Sequence, residues 1–433
     1  MLNIYFKNKI YRAKYKLLSN FNIEKFNKKY INDEISSIQI YADTFTDLTI
    51  FKNIKNIESI ESFQIINCNF DSLNFIDYPN LISIDIKQCT IKTLNGIYNV
   101  NKCINIFSLT FNEVNIFELP NLDNLKKLKT LICIYTNITR IPNLDSCINL
   151  KNLKCFNNNL IELPNLDLCN KLENLFISNN NLIKIPNLVK CVSLLNFVCN
   201  FNNLVELPIF NNNLESLYIT NNNLIYLNDI SYLHNLKSID ISFNNILELY
   251  NKDLNFQYLT EFICSYNKIE ILPNFINCIN LNILICNNNN IVNLPRLPIN
   301  LDFLNIKQNL LNNINTIYIC NKIRHLDLSF NNMIELSNIN NMNNLEKLYF
   351  NNNNNIIKFP KINKLINLYN IKCYQNCNIK NIDLSIIKCK KICGYQKYNS
   401  YKTDNYLSYI LNKKIYFYYY LSIIAYYNNL LLF

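Results

Sequence analysis

Apolar residues recur along this chain in a long register that neither a helix nor an ordinary strand explains. Leu150, Leu153, Cys155, Leu160 and Leu163 form one set, with Asn158 and Pro164 at fixed places among them. Twenty-two residues later the same slots hold Leu172, Leu175, Ile177, Asn180, Leu182, Ile185 and Pro186. After another 22 they hold Leu194, Phe197, Cys199, Asn202, Leu204, Leu207 and Pro208. The frame is L-x-x-L-x-L-x-x-N-x-L-x-x-L-P. Units begin at Ile35, Ile60, Leu81, Ile106, Leu128, Leu150, Leu172 and Leu194, then at Leu214, Leu236, Leu259, Leu281, Leu301, Ile323, Leu345 and Leu368. These 16 units are spaced 20 to 25 residues apart. Within each L-x-x-L-x-L stretch apolar residues alternate with variable ones, which predicts a short strand with one side in a core and the other in solvent. No unit can bury its apolar side alone, whereas stacked units make one continuous core.

The frame resembles the leucine-rich repeat family over roughly residues 35 to 383. The resemblance implies an α/β-class horseshoe solenoid, with the parallel strands lining its concave face. It also implies a ladder of Asn side chains between coils, since a carboxamide can both donate to and accept from the backbone of a buried turn. Asn158, Asn180, Asn202, Asn222, Asn244, Asn267, Asn289, Asn309, Asn331, Asn353 and Asn376 hold that slot. Cys68 and Cys89 replace it early, and Asp43, Val114 and Thr136 depart from it, so the first five coils are expected to be less regular. The returning half of each unit is too short for a long helix. The 20-residue units look like the family's bacterial type and the 22-residue ones like its short intracellular type, both with extended or 3₁₀ convex segments.

Charge divides the chain into three. Residues 1–31 carry eight basic side chains and one acid, net +7; residues 384–433 carry seven and one, net +6. The total is +11, so the body carries 11 − 13 = −2. Residues 1–34 read as a basic N-terminal cap, with a helix from Asn22 to Tyr30 capped by Asn22. Residues 35–383 are the solenoid, and 384–433 are a basic, Tyr-rich C-terminal cap or tail. A near-neutral curved body does not favour nucleic acid. The stretch 415–433 is uncharged and long enough to span a bilayer, but its six tyrosines and Asn428–Asn429 make a membrane anchor the less favoured reading. No hydrophobic run follows Met1, which argues against a secretory signal and for an intracellular, cytoplasmic protein.

Seventeen cysteines fit that setting. Cys133, Cys155, Cys199, Cys264, Cys286 and Cys373 occupy the third apolar slot of the strand, and Cys103, Cys147, Cys169, Cys191, Cys278 and Cys320 lie three residues before the next unit. They read as small buried hydrophobes rather than disulfide partners. Cys373, Cys377, Cys389 and Cys393 form the one group with metal-site character, weakened because Cys373 already fills a core slot.

Two glycines in 433 residues, Gly96 and Gly394, exclude every glycine-rich phosphate loop and the G-x-S-x-G elbow. Two histidines far apart in sequence, His234 and His325, exclude H-E-x-x-H. His325 falls on a concave strand near Asp327 and Asp302, and reads as solvated surface. No cofactor is expected. Asn accounts for 90 residues, and Asn, Ile, Lys, Tyr and Phe share AT-rich codons, so part of the composition reflects an AT-rich genome such as that of a protist or a large DNA virus of protists.

Positions one, two, four, six and seven after each unit start are expected to face solvent on the concave side. They carry many aromatics, of which Tyr135, Phe176, Phe201, Tyr218, Phe243, Tyr266, Phe303, Phe330 and Tyr349 are the candidate contacts for a protein partner. The expectation is a non-enzymatic protein-interaction scaffold. The alternatives are the substrate-recognition arm of an enzyme assembly, such as a ubiquitin ligase, and a tail-anchored version of the scaffold.

Overall fold

A computed structural model of the chain describes residues 1–7, 12–15, 21–30, 32–42, 44–45, 47–93, 96–249, 253–336, 339–376, 379 and 391–393. Every unit start is followed by one strand of a single parallel sheet, from Ile35–Tyr41 in the first coil to Asn370–Lys372 in the last. The register never slips. Ser37 pairs with Ser62, Ser62 with Ser83, Ser83 with Ser108, and the same position continues through Thr130, Asn152, Asn174 and Asn196. A one-residue slip would turn the whole core side of a strand to water, so variation in unit length is absorbed on the returning half. Lys391–Cys393 adds a further parallel strand beyond Asn370–Lys372.

The core is one column per apolar slot. Leu150, Leu153, Cys155 and Leu160, with their equivalents in neighbouring coils, are fully buried. At about 25 cal/mol per Å² of apolar surface, stacking one more coil stabilises both of its neighbours. The returning half is made of turns, short 3₁₀ segments such as Leu48–Phe51, Val100–Lys102 and Ile317–Ile319, and two-residue parallel strand pairs such as Tyr226–Leu227 with Glu248–Leu249, as the unit length demands.

The Asn ladder is present from Asn158 onward. Asn180 is typical: its Oδ1 accepts the Leu160 N–H at 3.0 Å, and its Nδ2 donates to the Cys155 carbonyl of the preceding coil at 2.8 Å and to Ile177 at 3.0 Å. This carboxamide ends the strand after three residues. In the Cys89 and Val114 coils the strand runs on into the bend, whereas in the Cys68 and Thr136 coils it stops at Ile66 and Ile134. Ser83–Ile91 has nine residues and includes Cys89, whose thiol donates to the carbonyls of Ile65 and Lys87. In the Val114 coil the neighbouring Asn115 takes over, exchanging two bonds with the Ile91 backbone at 2.6 and 3.0 Å. Thr136 donates its N–H and hydroxyl to Asn158 Oδ1, both at 2.8 Å. Asp43 lies outside the described residues.

The first end of the sheet is closed by a feature the charge pattern hid. Leu2–Phe6 pairs antiparallel with both Arg12–Tyr15 and Ile35–Tyr41. Leu2, Ile4 and Phe6 alternate into the core, a period-two pattern obscured by the surrounding lysines. The helix Ile23–Lys29 follows, with Asn22 Oδ1 accepting the Lys25 N–H at 2.9 Å. Its Phe26 is buried against Phe6, Phe21 and Tyr30.

Candidate interaction surface

The constant register sorts the concave side chains into columns. Two residues after each unit start run Thr130, Asn152, Asn174 and Asn196, joined side chain to side chain by bonds of 3.4, 2.7 and 2.8 Å. Four residues after the start run Ile132, Lys154, Phe176, Val198, Tyr218, Asp240, Ile263 and Ile285. Concave curvature crowds this middle column. Phe176, expected as a solvent contact, is only 3 % exposed: it lies between Lys154 and Val198 in register, with the Lys154 ammonium 5.7 Å from its ring centroid.

The sixth position also differs from expectation. Ser242, Ser265, Asn287, Ser329 and Asn351 are buried there and bond along the column, as in Ser265 to Asn287 at 2.8 Å and Asn351 to Ser329 at 3.0 Å. It is a polar support layer inside the bend.

The seventh position is the rim, and its backbone is left-handed in every coil, from Ala42 (φ 46°) to Gln375 (φ 57°). Asn fits this conformation, because its short polar side chain relieves it locally. Asn67, Asn157, Asn179, Asn221, Asn288 and Asn352 occupy it accordingly, and Ala42, Gln88, Glu113, Gln308 and Gln375 hold it in five more coils. Five coils place an aromatic there instead: Tyr135, Phe201, Phe243, Tyr266 and Phe330. A bulky residue at positive φ is an outlier that costs on the order of 1–3 kcal/mol. Tyr135 is 57 % exposed and Phe201 44 %, with Tyr266 and Phe330 similarly open. Phe243 is half-buried and stacks on Tyr266, centroids 4.3 Å apart and planes 9° from parallel. The rim aromatics share one column, in which Phe243 and Tyr266 stack on adjacent coils and the others are separated by coils carrying Asn or Gln.

The remaining candidates form two further groups. Tyr218 donates or accepts at Ser238 Oγ, 2.8 Å away, and belongs to the middle column. Phe303 and Tyr349 flank His325 at 4.6 and 5.1 Å. His325 is half-buried there rather than solvated; burial first, then Lys347 and Lys372, lower its pKa to about 4, so the ring is neutral at neutral pH. In the middle column, burial raises the Asp240 carboxyl to about 6 against the bonds from Ser242 that hold it down. Beside Asp240, the Ser238 hydroxyl is tied between Tyr218 at 2.8 Å and the Glu261 carboxylate at 3.1 Å, and among the described residues no three His, Cys, Asp or Glu side chains converge on a metal-sized point. Cys377 and Cys389 lie outside the described residues; Cys373 is buried in its core slot.

A second Asn ladder escaped the sequence frame. The residue just before each unit start is often Asn, and its Nδ2 donates to a carbonyl one coil back: Asn149 to Lys126 at 2.7 Å, Asn280 to Gln257 at 2.6 Å, Asn300 to Ile279 at 2.8 Å. Its signal was the recurrent Asn at that slot, hidden by the abundance of Asn.

The fold is therefore a leucine-rich-repeat solenoid whose concave side carries buried polar ladders and an aromatic rim. No protein-family model matches the sequence, and it has no match among curated proteins. Solved structures do match. A leucine-rich-repeat protein of Leptospira interrogans has 22% identity and a TM-score of 0.56, covering 73% of this chain and 90% of its own. YopM, a leucine-rich effector protein of Yersinia pestis, has 26% identity and a TM-score of 0.51, covering 63% and 79%. A plant peptide hormone receptor has 19% identity and a TM-score of 0.53, covering 74% and 61%.

Proposed function

We propose that this chain is a non-enzymatic scaffold that captures a protein partner along the concave rim. The observation that carries the reading is the five aromatics held at a left-handed position where the same fold uses Asn without strain. Strained residues persist where something other than stability retains them, and exposed aromatics are the side chains that dominate protein interfaces. The polar groups of the concave face are bonded between coils, as Ser238 is to Tyr218 and Glu261 and Ser265 is to Asn287, which supports a role in binding rather than catalysis. Leucine-rich-repeat neighbours point the same way: the plant peptide hormone receptor was solved in complex with RGF2. For the setting we infer a reducing, intracellular compartment, supported by the 14 cysteines recorded as free among the described residues, all buried. No helix among the described residues is long and apolar enough to cross a membrane; residues 415–433 lie outside them. We take 1–34 as an N-terminal cap of the solenoid and 384–433 as a C-terminal cap or tail.

The test is the triple substitution Phe201→Asn, Phe243→Asn, Tyr266→Asn, which installs the residue other coils already carry. Capture of the partner from cell extract is expected to be lost while the urea midpoint stays close to wild type. Undiminished capture by the triple variant rejects the reading.

A further inference from the structure

A second surface lies outside the concave face. Eleven residues after the unit start, on the flank beyond the Asn bend, successive coils expose Ile161, Ile183, Val205, Ile225 and Leu247, and the next coil exposes Ile271 one position later. Ile161 is 60 % exposed and Ile271 77 %. Backbone bonds between coils, such as Leu247 N–H to Ile225 carbonyl at 2.9 Å, hold these side chains in one line. The neighbouring column two residues earlier is Asn159, Asn181, Asn203, Asn223 and Asn245. A bias toward Ile codons does not produce a line of aliphatics beside a line of Asn. In the next slot run Glu162, Glu206 and Glu248, all exposed and none in an ion pair among the described residues; in the last coil the two types exchange places, Glu270 preceding Ile271. Lys184 is the one base in that row. An exposed apolar line of this length marks an interaction site, and the acids specify the charge of what covers it.

We propose that this flank binds an amphipathic helix with an apolar stripe and Lys or Arg along one edge. The geometry suits a helix lying along the solenoid axis. Coils repeat every ~4.8 Å and a helix turns every ~5.4 Å, so one apolar residue per turn meets one aliphatic per coil. Five steps from Ile161 to Ile271 span about 24 Å, the length of a helix of about 16 residues. Over that distance the two periods drift apart by about 3 Å, less than one side-chain spacing. The basic edge then lies over the glutamates, where mutual attraction is screened by salt.

The probe is a fluorescent 16-residue Leu–Lys peptide with leucine at helical spacing, titrated against the full chain. Wild type is expected to bind it, more weakly as salt rises. The variant Ile183→Thr, Val205→Thr, Ile225→Thr, surface changes that keep strand propensity, is expected to weaken binding at least about tenfold. The variant Glu162→Gln, Glu206→Gln, Glu248→Gln is expected to flatten the salt dependence. A Leu–Glu peptide of the same pattern is expected not to bind. Equal binding of the Leu–Lys peptide by wild type and the Thr variant overturns the proposal, as does equal binding of the Leu–Glu peptide. Pelleting with phosphatidylserine vesicles that the Thr variant abolishes, with no peptide binding, overturns it in favour of a membrane. The rim triple Asn variant is expected to bind the peptide like wild type, so this proposal and the rim reading fail separately.

Discussion

Replacing Asn202 by Leu isolates what the Asn ladder contributes. Asn202 Oδ1 accepts the buried Leu182 N–H at 3.0 Å, and its Nδ2 donates to the Ile177 carbonyl of the preceding coil at 3.0 Å. It also reaches the carbonyls of Asn200 and Cys199 at 3.3 and 3.4 Å. Leucine keeps the branched skeleton but its methyl groups are bulkier than the carboxamide, so overpacking adds to the polar loss rather than offsetting it. Two buried backbone groups lose their side-chain partner, at roughly 1–3 kcal/mol each, for a total near 4 kcal/mol. That is a large share of the 5–15 kcal/mol typical of a whole domain. Because each coil touches only its neighbours, the loss is felt mainly in the coils starting at Leu172 and Leu194. Urea unfolding gives the size, and amide exchange at Leu182 gives the place. Asn203→Leu, one residue on and exposed, is the control and is expected to change stability by less than about 0.5 kcal/mol. A cost below about 1 kcal/mol for Asn202→Leu, with the Leu182 amide as protected as before, would mean that the carboxamide contributes little to holding the coils together.

Other expectations follow from the same geometry. His325 has its folded pKa lowered to about 4 from 6.5, so the folded state binds fewer protons and its share of stability is lost as pH falls from 6.5 toward 4. Asp240 is raised to about 6 from 3.8, so it acts oppositely, gaining stability as pH falls from 6 toward 4. Each is worth up to about 3 kcal/mol and they offset. Urea midpoints at pH 7 and pH 4.5 should therefore be similar for wild type, rise on acidification for His325→Gln, and fall for Asp240→Asn; parallel behaviour of the two variants contradicts this. Burial pushes the thiols of Cys103, Cys147 and Cys191 up to about 12, so a thiol reagent should label them only after unfolding, and rapid labelling of the native chain counts against their core placement. Phe197→Ala, in the fully buried slot four residues before Phe201, should cost about 3–5 kcal/mol, and a cost under 1 kcal/mol contradicts the core assignment.

The solenoid was legible because one physical demand, burial against the next coil, repeats in every unit and leaves its mark at every Leu slot. The first Asn ladder was legible for the same reason. The rim was partly so: Tyr135, Phe201, Phe243, Tyr266 and Phe330 were picked out as exposed aromatics, but their left-handed backbone needed coordinates. Phe176 was misjudged because alternation reports which face a side chain takes, not how tightly a curved sheet crowds it. The buried sixth position was missed for a related reason, since Ser and Asn look like surface until their partners one coil away are seen. The flank line of Ile161, Ile183 and Val205 falls in variable slots of the frame, so the repeat pattern alone did not single it out; its exposure did.

The most direct test of the central claim compares wild type with the Phe201→Asn, Phe243→Asn, Tyr266→Asn variant in one experiment, measuring the urea midpoint and partner capture side by side. Relief of left-handed strain offsets the loss of half-covered ring surface, so the account predicts stability within about 1 kcal/mol of wild type per site together with loss of capture. Retained capture, or unfolding of the variant by several kcal/mol, would contradict it, since either result would make the rim aromatics part of the architecture instead of the binding surface.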